Sequence, residues 1–210
     1  MKLIIALIFA VLVSCKKETN IPPMPKKQLS FSDTQVWDVK LTEYFEQTPV
    51  LLPDDWRQKI HVADPPSNSS EVTLKELSYL NELGTQQEGK MEEIQGELDL
   101  PNATFGDEPI GNIDKEKFSQ SIRLLQAINY DAELVVINLK RKYDRVRPAF
   151  LDKKLQLAIE NPNHPAYPSG HSTQAHLLAL VLGDLNPKKK KQYWKNASRI
   201  AHNREIAGVH

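Results

Sequence analysis

A single apolar stripe in the second half of the chain constrains the fold most. Phe118, Ile122, Leu125, Ile128, Ala132, Val135, Leu139 and Tyr143 recur at spacings of three or four, the period of one helix face. Asp114 is a good N-cap ahead of the stripe, and Pro148 lies just beyond it, where a helix cannot continue. The pattern predicts a helix of about eight turns at ~3.6 residues per turn.

The same period dominates elsewhere. Ser32-Asp33-Thr34-Gln35 fits a capping box, opening a helix with Trp37, Leu41, Tyr44 and Phe45 on one face. Residues 48–68, with Pro49, Pro53, Pro65 and Pro66, read as a long surface segment. Thr73-Leu74-Lys75-Glu76 is a second capping box, for a helix carrying Leu74, Leu77 and Leu80 and stopping near Gly84. The polar, weakly patterned residues 85–113 hold room for another helix around 89–98. Four prolines make 148–168 a loop, with one short helix near Leu155–Ile159. A helix from near Ser169 through Leu182 is apolar nearly all round, which predicts a central position. Pro187 opens a last helix, Lys188 to about Ala207, and the lysine run 188–191 reads as its solvated start. Strand signals are weak throughout, so the expected fold class is all-α.

The N-terminus reads differently. Met1-Lys2 precedes the apolar run Leu3–Val13, too short to span a bilayer and about right for the core of a signal peptide. The run ends in Leu12-Val13-Ser14-Cys15, which resembles a bacterial lipobox, and Cys15 is the only cysteine. Residues 1–14 are therefore expected to be a lipoprotein signal peptide. Residues 15–29 would be the lipidated Cys15 and a Pro-rich tether, and 30–210 one helical domain, anchored to a membrane of the cell envelope. With 27 Lys+Arg against 27 Asp+Glu, the chain is not a strongly basic nucleic-acid binder.

Three basic clusters carry the chemistry. Lys140 and Arg147 lie seven residues apart at the end of the long helix; seven steps of about 100° bring both to nearly the same side. Pro168-Ser169-Gly170-His171 enters the next helix, and Arg204 and His210 close the chain. Singly, each is an ordinary surface face or turn. Together they suit an anion. Free amides at a helix start favour negative charge, Gly170 permits close backbone approach, and two Arg forks with a Lys suit phosphate-type oxygens. Two histidines could divide nucleophilic and acid roles. No carboxylate-rich cluster or HExxH accompanies them, so no metal site is expected.

Lys140-x6-Arg147-Pro148, Pro168-Ser169-Gly170-His171 and Arg204-x5-His210 resemble, in spacing and order, the three-part signature of the type 2 phosphatidic acid phosphatase superfamily. That group includes bacterial non-specific acid phosphatases and vanadium-dependent haloperoxidases. The resemblance covers residues 140–210 and implies a helical bundle. It implies His210 as the nucleophile that forms a phosphohistidine, and His171 as the acid that protonates the leaving oxygen. Lys140, Arg147, Arg204, Ser169 and the Gly170 amide would hold the phosphoryl oxygens, with no metal or other cofactor.

Two departures stand out. Asn203 precedes Arg204 where the family usually has Ser, and Ser198-Arg199 is a decoy because the sixth residue after Arg199 is Glu205. The family also places an Asp four residues past the nucleophile, a position beyond His210, so the chain is expected to be incomplete at its C-terminus. His164 reads as a loop histidine near the pocket mouth, His176 as pointing away, and His61 and His202 as structural or surface residues. The leading expectation is an envelope-anchored phosphatase acting on small phosphate monoesters or a lipid-linked pyrophosphate. One alternative is a vanadium-dependent haloperoxidase, with vanadate held by the same residues; the stretch His164–His171 is also at home among bacterial haloperoxidase-like members. The other is a non-catalytic lipoprotein that binds phosphate-type anions.

Overall fold

The computed structural model describes residues 28–98 and 116–210. The expected signal peptide, Cys15, most of the tether and the Asp114 cap lie outside the described residues. Eight α-helices follow one another within them: α1 Val39–Thr42, α2 Trp56–Lys59, α3 Glu71–Leu83, α4 Gln87–Gly96, α5 Ser119–Tyr143, α6 Pro148–Leu151, α7 Gly170–Leu185 and α8 Lys190–Ile206. Among the described residues there is no strand, only an isolated bridge between Ser30 and Arg145. The fold is all-α. No described helix is long and apolar enough to cross a membrane.

The bundle is built on α5, α7 and α8. Leu125 of α5, Ala175, Leu178, Ala179 and Leu182 of α7, and Tyr193, Ala197 and Ile200 of α8 form one core. A second core covers another side of α5, where Leu134, Val135 and Leu139 meet Trp56, Tyr44, Leu52, Ile60 and Val62. A third joins Leu83 and Ile94 to Ile206, Ala207 and Val209 at the end of α8. The second half of α5 is thus enclosed on nearly all sides: Asp131, Ala132, Leu134, Val135, Val136, Ile137, Leu139 and Lys140 are all buried. That central role was expected of α7, whose Leu180 and Leu185 are in fact exposed.

Local starts and stops also differ from the patterns. Ser30, not Ser32, makes the first capping box with Asp33, and it opens only a short 3-10 turn, Phe31–Asp33. Burial of Phe31 and its N–H bond to Asp144 O (2.8 Å) fix that turn against the end of α5. Trp37 therefore precedes a separate one-turn helix, α1, capped by Asp38. Ser70, not Thr73, caps α3; Thr73 is buried and gives its hydroxyl proton to Ser67 O. The segment 48–68 is not wholly superficial. Its Trp56 is buried, and buried Asp131 accepts the amides of Val50, Leu51 and Leu52 at 2.7, 2.7 and 2.9 Å. The short helix expected near Leu155–Ile159 lies at Pro148–Leu151 instead, with Pro148 in the first turn, where its missing N–H costs nothing.

Candidate active site

Lys140 sits in the last turn of α5, almost wholly buried, and its Nζ donates to Pro165 O (2.6 Å) and Ala166 O (3.4 Å). Asp144 then takes the left-handed conformation (φ 43°) and ends the helix. Arg147 stands beyond it, capping α6. The two cations therefore do not share a helix face, as their spacing predicted. They converge because the Pro-rich loop folds back between them. Arg147 Nε donates to His164 O (2.8 Å), one residue from the carbonyl that holds Lys140.

The next motif forms the start of α7. Ser169 is its N-cap, and its Oγ accepts from Ser172 N at 3.5 Å. Gly170 and His171 line a cavity of about 220 Å³ with Lys140, His164, Arg204, Val209 and His210. Ser169 does not line it. It faces an adjoining cavity of about 330 Å³, which His210 also touches. Six of the seven phosphate-site residues expected from sequence thus come together, with Arg147 behind the wall in contact with His210, and Ser169 stands to one side.

The third motif closes the site at the end of α8. Gly208, at φ +75°, turns the chain, so that Val209 N reaches Arg204 O (3.3 Å) and Val209 O accepts from Arg147 Nη1 (2.6 Å). A Cβ at Gly208 would lie 2.6 Å from Gln156 O, so only glycine fits. Arg147 Nη1 also lies 3.4 Å from His210 Nε2, and Arg147 Nη2 lies 2.9 Å from His164 Nδ1. A guanidinium can only donate, so both ring nitrogens accept and are unprotonated.

Arg204 is held from behind. Its Nη2 donates to Ile94 O (2.9 Å) and lies 4.0 Å from Glu97 Oε2, while Nε and Nη1 are buried without a hydrogen-bond partner. Glu97 is itself buried. It accepts from Asn203 Nδ2 at 2.9 Å and pairs with Arg199. Asn203, in the place where the resemblance expects Ser, is therefore a buried donor to the carboxylate behind Arg204.

The electrostatics follow from crowding cations in a dry place. Burial and the charge of Arg147 hold Lys140 well below its ordinary range, and burial brings Arg147 down to about 9. Burial, then Lys140 and Arg147, push His164 to about 2. Burial, then Arg204, push His171 to about 4, against small raising effects from the carbonyls of Leu98 and Glu97. His210 is driven well below its usual range by burial, then by Arg147 and Lys140. Such a cluster is matched by an anion that brings negative charge among the donors.

Two residues here were not assigned from sequence. His164 is no ordinary loop histidine but part of the cavity wall bonded to Arg147. Glu97 falls in a weakly patterned stretch; its one signal was the Glu93/Glu97 spacing of four, a paired acidic helix face. The decoy Arg199 binds Glu93 and Glu97. His176 bonds Ser172 O and packs on Trp194, His202 pairs with Glu205, and His61 is exposed.

No family model matches the chain. A non-specific acid phosphatase of Providencia stuartii is 27% identical over 152 residues, 64% of this chain and 60% of that protein. The chain thus spans about 60% of the length of the curated relative it matches. The crystal structure of the first bacterial vanadium-dependent iodoperoxidase superposes with a TM-score of 0.63 at 17% identity, over 90% of this chain and 57% of the other. That likeness is one of fold. Three motifs in the order of the type 2 phosphatidic acid phosphatase superfamily meet in one all-α bundle, and the sequence similarity to an acid phosphatase and the fold shared with a haloperoxidase support that resemblance.

Proposed function

We propose that the protein is a phosphatase that cleaves phosphate esters through a phosphohistidine, anchored in the cell envelope through Cys15. The carrying observation is Arg204. A buried guanidinium on the cavity wall, with Nε and Nη1 unpartnered, is a costly arrangement that a phosphoryl group relieves. Lys140 and the Gly170 amide add further charge and a donor on the same wall.

His210 Nε2, unprotonated, gives up its 3.4 Å contact with Arg147 Nη1 and attacks phosphorus, and the bond to the ester oxygen breaks. His171 gives its proton to that oxygen. Water then attacks the phosphohistidine and gives a proton to His171 as the P–N bond breaks. The lysine and arginines supply the charge stabilisation of the five-coordinate transition state. At about 4, His171 carries little proton near neutrality when the site is empty. The negative substrate beside it offsets the Arg204 charge and raises it, so the acid is formed by binding. The alkaline limb of kcat, where His171 loses its proton, should therefore lie at higher pH than that of kcat/KM.

The same donor set also fits vanadate, a tetrahedral oxyanion. Lys140, Gly170, Arg204 and His210 would hold it, and when bound it would supply halide oxidation. Hydrolysis of p-nitrophenyl phosphate by the purified protein, with chelator and with vanadate as competitor, tests the phosphatase reading. Turnover blocked by vanadate and lost in both His210→Ala and His171→Ala is the expected result. Halide oxidation in vanadate without ester hydrolysis would replace it with the peroxidase reading. Phosphate protection against melting with neither activity would leave an anion-binding protein.

A further inference from the structure

The cavity has a second end, with opposite chemistry. α5 and α7 run antiparallel: Val136 packs beside Gly170, while Leu125 shares a core with Leu178 and Leu182. One turn beyond that Val136–Gly170 contact, away from Lys140, Glu133 and Gln174 also line the cavity. Glu133 lies seven residues before Lys140, ~10 Å along the axis at ~1.5 Å per residue. Its Oε2 accepts from Tyr44 Oη at 3.1 Å, its one hydrogen-bond partner among the described residues. The Gln174 amide has none among them.

A carboxylate would repel the phosphoryl group, so Glu133 belongs to the other end of a substrate. His171 lies between Gly170 and Gln174 on α7, where the acid must meet the ester oxygen. We propose that Glu133, with Gln174, forms a leaving-group subsite for an alcohol that carries a hydrogen-bond donor, hydroxyl or ammonium, a few bonds beyond the ester oxygen. This rests on the phosphatase reading. Burial raises the Glu133 carboxyl, and a donor from the leaving group offsets that cost. Leu41, Ile159 and Pro162 line the same cavity with apolar surface.

The test uses three esters of equal chain length: propyl, 3-hydroxypropyl and 3-aminopropyl phosphate. The full-length protein should prefer both donor-bearing esters over propyl phosphate by about tenfold in kcat/KM, mostly through KM, the effect of one hydrogen bond to a charged group. Glu133→Leu should erase both preferences, and Glu133→Gln should keep that for hydroxyl and lose that for ammonium. Retention of both preferences in either folded variant, or their absence from the wild type, overturns the subsite while leaving the phosphatase reading intact. Wild-type protein that cleaves none of the three overturns both. If Glu133→Leu does not fold, Glu133→Gln decides alone.

Discussion

The two buried arginines of the site are built on different plans. Arg147 is saturated: carbonyls of His164 and Val209 and the rings of His164 and His210 surround its guanidinium. Arg204 has one carbonyl, a carboxylate at 4.0 Å and two nitrogens without partners. Arg147 acts as a brace that ties the Pro-rich loop to the last residues of the chain. Arg204 is a loaded donor, kept charged by Glu97 and aimed at whatever enters. Equal burial does not mean equal work. What distinguishes the two is which donors the protein has already used.

Substitution should break the comparison most sharply at Arg204. Arg204→Lys removes the fork and its unpartnered nitrogens, and should cost about 10²–10³-fold in kcat against phosphate esters with little loss of stability. A melting curve beside the kinetics checks both halves. Arg147→Ala should do the reverse in order of severity. It orphans the buried carbonyl of Val209 and the part-buried carbonyl of His164, at about 1–3 kcal/mol each, so a loss of about 3 kcal/mol of stability in urea unfolding is expected before any loss of turnover is interpreted. Equal loss of stability in both variants would erase the distinction.

Acid sharpens it further. His164 and His171 sit at about 2 and about 4 in the folded protein, against ~6.5 when unfolded. Their folded values are depressed, so the unfolded chain takes up protons first. The stability they allow is full above ~6.5 and falls as pH drops towards about 4, then further towards about 2. For these two histidines together a loss of about 3 kcal/mol between pH 7.5 and 5.5 is expected, at 1.36 kcal/mol per unit for each. Inorganic phosphate should reduce it. Because that protection acts largely through Arg204's free donors, it should weaken in Arg204→Lys and persist in proteins altered away from the cavity.

Much of this plan was legible in the residues, though not always for the right reason. The long stripe marked α5, because an apolar face at helical period has few other uses. Lys140 and Arg147 were expected together through helical angle, yet Asp144 ends the helix between them and a loop brings them together. Capping boxes at Ser32 and Thr73 were plausible locally. Ser30 and Ser70 took those roles because burial of Phe31 and Thr73 outweighed cap chemistry. Ser169 was expected among the phosphate ligands and instead closes the first turn of α7 beside the neighbouring cavity. Glu97 and His164 were hidden because their roles arise only when α4 docks on α8 and the 148–168 loop folds back. No local pattern records such long-range contacts.

The corner at Gly208 gives the third motif a different meaning from a count of residues. Between Arg204 and His210 the chain finishes a helix, turns through a conformation open only to glycine, and returns past Gln156. The interval works as a ruler with one rigid joint. Adding or removing a residue there would not lengthen or shorten a tether but swing the imidazole off the wall, while Val209 lost its hold on Arg147. The motif's spacing is thus the written trace of a shape.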